Sequence, residues 1–442
     1  MMLLEQRKIA LSPAVSPKRC AGRFLFYSHD GFGLGHTRRH LAVAHALTEL
    51  APEASVLLAT GSDIVSRLNL TPPIDILKLP GLRKVANDQY APRRLRIPVS
   101  EIRALRSDLL HAAVKAYRPT VVLVDKHPFG AKGEFRAGLE ELRATGGCAV
   151  LGLRDILDEP ASVLKEWSPY RMQERISEFY DLVLVYGDRS VFDPIAEYEF
   201  PEGLAARTRF CGYVVNRDDT ELSGEPGTFP FSRGQGARPT VLATAGGGED
   251  GFFLLQTFIR AATEGSRDAI AVAGPMSPGP ELKTLRRLAA RANVALHTFV
   301  PNLSEMFRSV DALVCMGGYN TLVEAVSRGV PTVCVPRTIP RREQLIRARA
   351  FERLGLLSVI TPEKVNAGNL GRAIHSAVGT SRRELLARVH SALSFEGARR
   401  AARHLLALAS AQPSTAAVAD KNWRSKGSPD QAFRGGIRRR AE

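Results

Sequence analysis

The chain has 442 residues, of which 44% are hydrophobic and 24% charged, an ordinary balance for a globular protein long enough to bury two cores. No apolar run reaches the roughly 18 residues that a membrane-spanning helix needs, so no such helix is expected. The net charge of +16 invites a nucleic-acid reading, yet residues 1–23 hold five basic side chains against one acidic, and residues 421–442 hold seven against two, so over half of the excess lies at the two ends.

Those ends set the outer boundaries. Residues 1–21 are a basic leader whose charges interrupt every short apolar piece, unlike a signal peptide. Residues 410–442 have the composition of a solvated basic tail, which either keeps the chain soluble or touches anionic head groups or RNA. Cys20, Cys148, Cys211, Cys315 and Cys334 are scattered and form no Cys-x-x-Cys pair. They read as reduced thiols of a cytoplasmic protein, with neither disulfides nor a zinc site.

In chain order, residues 23–28 (RFLFYS) form an apolar strand that runs into HDGFGLGHTRRHLAVAHAL, a glycine-rich loop and an amphipathic helix. Gly31, Gly33 and Gly35 let backbone approach a ligand, and His36 and Thr37 start the helix. The spacing is not that of a dinucleotide fingerprint, and the next strand (residues 55–61) lacks the terminal acid that grips an NAD ribose. Residues 74–79 form another strand, and residues 80–98, basic and aperiodic, read as a long loop. A helix over 99–117 leads to a buried strand over 120–125, which delivers Asp125 and His127 to its carboxyl end, where open α/β sheets bind ligands. Asp125 serves equally well there as a cap for the following helix. The strand over 148–153 delivers Arg154, Asp155 and Asp158, with Arg154 expected in an ion pair with its neighbouring carboxylates and Asp155 as a second candidate base. Strands over 181–186 and 209–214 complete the first domain (residues 22–215), and residues 216–238, rich in Gly, Pro and Ser, form a linker.

The second domain (residues 239–380) repeats the opening: a strand over 239–245, the loop Gly246-Gly247-Gly248-Glu249-Asp250-Gly251, then a helix. Strands over 269–275 and 294–299 follow, the latter ending at Phe299-Val300. Residues 312–316 are a strand ending in Gly317-Gly318, and Tyr319-Asn320-Thr321 open a helix whose unpaired N–H groups favour an anion. Glu324 lies about one turn further on, placed to accept from a ribose diol. Gly329-Val330-Pro331 ends this helix before a strand over 332–335. The loop after Pro336 carries Arg337, Arg341, Arg342 and Gln344, suited to a diphosphate and a sugar hydroxyl. Helices over 366–378 and 382–409 close the fold, the last (within 381–409) expected to cross back to the first domain.

The run Gly317-Gly318-x-x-Thr321-x-x-Glu324-Ala325, then Gly-Val-Pro, a strand, and a charged loop with Gln344 resembles the donor site of GT-B glycosyltransferases of family 28. Its branch is that of the N-acetylglucosaminyltransferase that forms lipid II, and the resemblance covers roughly residues 22–405. It implies two Rossmann-like parallel-sheet domains facing a cleft, with an acceptor domain first and a nucleotide-sugar donor domain second. It also implies that Gly317, Gly318 and Thr321 hold the diphosphate, Glu324 the ribose, and Gln344 the sugar. Gly246, Gly247 and Gly248 would face the phosphates, and Phe299 and Val300 the base. Met316 departs from the family, which often has Ser there, so one phosphate ligand is either missing or replaced by Asn320. The family's first glycine loop faces the cleft, which makes His36 either a general base or an acceptor contact, beside Gly33, Gly35, Asp125 and His127.

The function expected is transfer of a hexosyl group from a nucleoside diphosphate sugar, UDP-linked by resemblance, to an unidentified acceptor. Helix N-termini with Arg341 or Arg342 would stabilise the departing diphosphate, and no Asp-x-Asp metal motif occurs in the chain. No cofactor or metal is expected, and inversion is implied by the resemblance alone. An epimerase or hydrolase on the same fold, or a non-catalytic nucleotide- or nucleic-acid-binding protein, is the alternative. The acceptor is open: the basic loop and ends suit a lipid-linked or anionic acceptor at the inner membrane face and a soluble one nearly as well.

Overall fold

The computed structural model describes residues 22–29, 35–62, 70–86, 89–215, 238–262, 267–301 and 303–411, the side chains at 84–86 and 89 excepted. The basic leader, Gly31, Gly33, nearly all of the linker and most of the tail lie outside the described residues.

Before the linker run β1 (Arg23–Ser28), β2 (Ser55–Thr60), β3 (Ile74–Lys78), β4 (Leu82–Ala86), β5 (Gln89–Pro92), β6 (Val121–Asp125), β7 (Cys148–Arg154), β8 (Leu182–Tyr186) and β9 (Thr208–Phe210). After it run β10 (Thr240–Thr244), β11 (Asp268–Val272), β12 (Ala295–His297), β13 (Ala312–Cys315), β14 (Thr332–Cys334) and β15 (Ser358–Val359). The first sheet has the order β3-β2-β1-β6-β7-β8-β9 and the second β12-β11-β10-β13-β14-β15, every ladder parallel. Central strands such as β6 (VVLVD) and β10 (TVLAT) are buried at every position, as parallel strands covered by helices on both faces must be.

The strand orders matter more than the strands. In the first sheet the chain winds outward one way from β1 and the other way from β6, and in the second the same reversal separates β10 from β13. The crevice outside the carboxyl ends at such a switch point is where this architecture binds ligands. Both glycine-rich segments of the second domain leave the carboxyl ends of its switch-point pair, and Asp125 ends one strand of the first pair.

Two expectations need correction. Residues 80–98 are not an irregular loop throughout, because β4 and β5 pair antiparallel as a hairpin. Leu82 anchors it in a small core with Ile102 and Ala131. The final helix is also not continuous: Arg382–Ala392 and Gly397–Ala411 are separated at residues 393–396. There Val214 bridges Glu396, and Tyr213 N–H donates to Ser394 O at 2.7 Å, so the link between the domains is pinned to the crossing segment. The last helix does return to the first domain and packs on Gly35–Leu50. Its small buried Ala401 and Ala402 let the backbones approach, and fully buried Leu405 contributes about 2 kcal/mol. Cys148, Cys211, Cys315 and Cys334 are buried free thiols.

Candidate active site

β1 leads through His29 toward the helix Gly35–Leu50, which begins at Gly35-His36, and β6 ends at Asp125 beside it. The His36 ring Nδ1 lies 2.9 Å from Asp125 Oδ2, and Arg39 Nη2 donates to the same oxygen at 2.6 Å. Arg39 Nη2 is also 3.2 Å from His36 Nδ1. An ionised carboxylate only accepts, so a bare Nδ1 at 2.9 Å would set two lone pairs against each other. We therefore place the proton on Nδ1, where it is donated to Asp125, and this leaves Nε2 to accept. Nε2 makes no hydrogen bond among the described residues. Burial alone would raise the Asp125 carboxyl, but Arg39 and then His36 hold it well below the usual carboxylate range. Arg39 itself is sandwiched between the rings of Tyr186 and Tyr319, at 5.2 and 5.4 Å. The turn that leaves β6 forces Lys126 to a φ of 66°, and it stacks His127 edge-on against His29 at 4.3 Å. Sequence reasoning named His36, Asp125 and His127 singly; the contact of His36 with Asp125 and of His127 with His29 is a tertiary fact.

Asp155 is not a base in this arrangement. Arg347 Nε and Nη2 donate to its two oxygens, each at 2.7 Å, with both side chains fully buried. Arg347 Nη1 also donates to Gly317 O at 3.2 Å, so this bidentate pair ties the carboxyl end of β7 to the glycine turn of the other domain. Arg154, expected to pair with its neighbouring acids, makes no ion pair or hydrogen bond among the described residues. Arg341 and Arg342, expected on the donor phosphates, are turned onto the first domain instead. Arg341 Nη2 reaches Glu166 at 2.9 Å, Arg342 Nη1 reaches Glu159 at 2.7 Å, and the Arg342 N–H donates to Asp158 at 2.8 Å.

The second domain assembles the rest. Gly317 has a φ of 82°, and a Cβ there would come within 2.9 Å of Cys334 Sγ, so only glycine makes this turn. The helix Tyr319–Ser327 starts immediately after Gly318. Thr321 Oγ1 faces Gly246, 4.0 Å from where a Cβ would stand, which brings the two glycine loops of this domain together. Gly248 (φ 96°) is seated so tightly that a Cβ would meet Ala273 O at 2.5 Å. Across the cleft, a Cβ on Gly35 would lie 2.9 Å from Asn320 Nδ2, so the start of the helix Gly35–Leu50 abuts the helix Tyr319–Ser327. Glu324 is buried on that helix beside Arg328, whose guanidinium is destabilised by burial and supported by the Glu324 charge. Gln344 lies against Gly317, and its Oε1 accepts from Arg337 N–H at 3.1 Å. Phe299 and Val300 lie just beyond β12, Phe299 with 41% of its surface exposed. Glu343 was missed: Arg337 Nη2 donates to its Oε1 at 3.0 Å, while its Oε2 is buried without a partner. Its place next to Gln344 was the available signal.

Residues 268–405 match the glycosyltransferase family 28 C-terminal domain. An NDP-glycosyltransferase of Bacillus licheniformis is 37% identical over 87 residues, 20% of this chain and 21% of that protein. The UDP-N-acetylglucosamine–N-acetylmuramyl-(pentapeptide) pyrophosphoryl-undecaprenol N-acetylglucosamine transferase of Haemophilus ducreyi is 22% identical over 210 residues, 47% of this chain and 58% of that protein. The chain thus spans under two thirds of both curated relatives. A UDP-glucosyltransferase from Polygonum tinctorium superposes with a TM-score of 0.61 at 13% identity, over 88% of this chain and 99% of that one. The fold is GT-B, two Rossmann-like parallel-sheet domains, as the sequence implies.

Proposed function

We infer that this protein is a family 28 glycosyltransferase that moves a hexosyl group from a nucleoside diphosphate sugar to an acceptor hydroxyl or amine. The observation that carries the reading is the meeting of the two switch-point crevices. His36 and Asp125 stand on one side, and the Gly317 turn with its helix N-terminus stands on the other, in contact through Gly35 and Asn320.

The roles follow from the chemistry of each group. The nucleoside diphosphate lies along Gly246–Gly248 and Gly317–Thr321, where backbone N–H groups and the helix dipole meet the phosphates. Glu324 accepts from the ribose, and Phe299 and Val300 border the base. Glu343 and Gln344 stand at the sugar. The acceptor oxygen or nitrogen attacks the anomeric carbon as the bond from that carbon to the phosphate oxygen breaks. The acceptor proton passes to His36 Nε2, and the electron pair leaves with the diphosphate, whose charge the helix N-terminus stabilises without needing a metal. Attack from the face opposite the leaving group inverts the anomeric centre.

The donor is read as a UDP-sugar and the acceptor as lipid-linked, because the Haemophilus relative is named for both. Leu95 is exposed between Arg94 and Arg96 in sequence, a segment suited to peripheral contact with an anionic membrane. No helix among the described residues is long and apolar enough to cross one.

Calorimetric titration with UDP, GDP and dTDP, in magnesium and in EDTA, tests the donor half. UDP is expected to bind preferentially and equally in both buffers, with about tenfold weaker affinity in Glu324→Ala, the loss of a charge-assisted hydrogen bond. Absence of binding by every nucleotide overturns the reading.

A further inference from the structure

Among the described residues Arg154 is a cleft arginine of the first domain with neither an ion pair nor a hydrogen bond. The arginines nearest to it each hold a carboxylate, although Arg39 keeps its Nε and Nη1 buried without a partner. Arg39 donates to Asp125 and lies between two tyrosine rings, and Arg347 grips Asp155 with two hydrogen bonds. Arg154 is the last residue of β7, part-buried, opposite Tyr186 in the ladder. Its Nε is buried with no acceptor, and the guanidinium has no ion-pair partner among the described residues. The Tyr186 hydroxyl nearby in the ladder is likewise buried and unpaired. A buried donor without a partner calls for an explanation, and at the carboxyl end of a sheet strand facing a cleft a bound ligand supplies one.

The surroundings narrow the ligand to an anion. Burial, then Arg39 and Arg347, weigh against the Arg154 charge, while Glu343 and Asp125 weigh for it; the sum lowers its pKa to about 10. An arginine held among cations without a carboxylate in contact is destabilised in the empty protein and is relieved when negative charge arrives. Arg347 joins Asp155, the next residue after Arg154, to the carbonyl of Gly317, and although the Arg154 side chain leaves the strand on the other side, its guanidinium feels the charges of Arg347 and Glu343 of the second domain. The carboxyl end of β7 therefore lies against the turn that opens the helix Tyr319–Ser327. An acidic sugar would fit this place poorly, since the orphan Oε2 of Glu343 would repel its carboxylate.

We propose that Arg154 reaches across the cleft to the sugar-linked phosphate of the donor diphosphate, so that this phosphate is held by both domains and the nucleoside by one. The assignment rests on the nucleotide-sugar reading and deepens it. It makes Arg154 a binding residue for the leaving group, bonded most strongly as charge develops on the departing oxygen.

The experiment compares wild type with Arg154→Ala, titrating each with the nucleoside diphosphate that wild type binds most tightly and with the matching monophosphate. Thermal melting of the ligand-free proteins runs alongside. The diphosphate is expected to lose about 10- to 100-fold in affinity, the range for a hydrogen-bonded charged group, and the monophosphate less than about twofold. Ligand-free Arg154→Ala is expected to melt at or above the wild-type temperature, since it removes an unpaired charge from among cations. Equal losses for diphosphate and monophosphate, or none, overturn the assignment, as does a lowered melting temperature, which would make Arg154 a structural partner of Glu343. Failure of wild type to bind any nucleoside diphosphate overturns the nucleotide-sugar reading, and this assignment with it.

Discussion

Asp155→Ala separates a structural role from a chemical one. In the folded protein both Asp155 oxygens receive a hydrogen bond of 2.7 Å from Arg347, and neither side chain is exposed. Removing the acid strands a guanidinium that is always charged where water cannot reach it. Breaking a buried pair in this way costs about 3–5 kcal/mol. For domains of this size each kcal/mol moves the melting temperature by roughly 2–4 °C, so a drop on the order of 6–20 °C is expected. The Gly317 carbonyl loses its tether when Arg347 relaxes, so nucleotide affinity should fall as well. The double variant Asp155→Leu/Arg347→Met removes both charges and should recover most of the stability, because apolar replacement of a buried pair is often near neutral. Scanning calorimetry of the three proteins is the assay, with two transitions fitted if the domains unfold separately. An Asp155→Ala protein that melts within about a degree of wild type but has lost turnover would refute the argument and restore Asp155 as a base.

His36→Ala should lower kcat by about 10²–10⁴, the usual worth of a positioned base, with a smaller effect on donor KM; a change in KM alone would make it only a binding residue. Asp125→Asn should reproduce most of that loss by freeing the ring from its Nδ1–H tautomer, which a kcat measurement reads directly. Glu343→Gln should raise KM for the nucleotide sugar about fivefold or more while the Kd of the free nucleoside diphosphate stays within about twofold, since its orphan Oε2 is assigned to the sugar. His29 and His127 are held well below their ordinary value, first by burial, then by His36, Lys126 and Arg106 at His29 and by His29, Lys126 and His36 at His127. The unfolded chain therefore takes up protons that the fold refuses: stability is complete above about pH 6.5 and falls below it, by up to about 1.4 kcal/mol per pH unit for each ring. Melting curves from pH 8 to pH 5 should show that slope, and it should flatten in His29→Gln/His127→Gln.

Features fixed by local backbone demands were legible in the sequence. Gly317 must turn where Cys334 leaves no room for a side chain, and an apolar run on one side with a helical pattern on the other announces a strand–turn–helix unit whatever the rest of the chain does. What charge alone suggests was less reliable, because a positive side chain in a basic loop carries no direction. Arg341 and Arg342 look like phosphate ligands and turn out to face the acids of the first domain. Arg154 and Asp155 show the same limit more sharply. Successive residues at the end of a strand point to opposite sides, so adjacency in sequence argues against the ion pair it suggests. The partner that Asp155 takes lies 192 positions away, and no window on the sequence reaches it.

Tyr319 shows how the two halves of the site depend on one another. It stands directly after the donor turn, donates its hydroxyl to Tyr186 O at 2.9 Å and accepts from Val214 N–H at 3.2 Å, both in the first domain. Its ring packs on Arg39, which holds Asp125, and on Arg347, which holds Asp155 and Gly317. The helix that would meet the phosphates and the carboxylate that would orient the base are thus joined through one buried side chain. A donor that shifted the Gly317 turn would shift Arg39 with it, and with Arg39 the carboxylate on which the His36 tautomer depends. In this fold the His36 ring is only as well positioned as the Gly317 turn is.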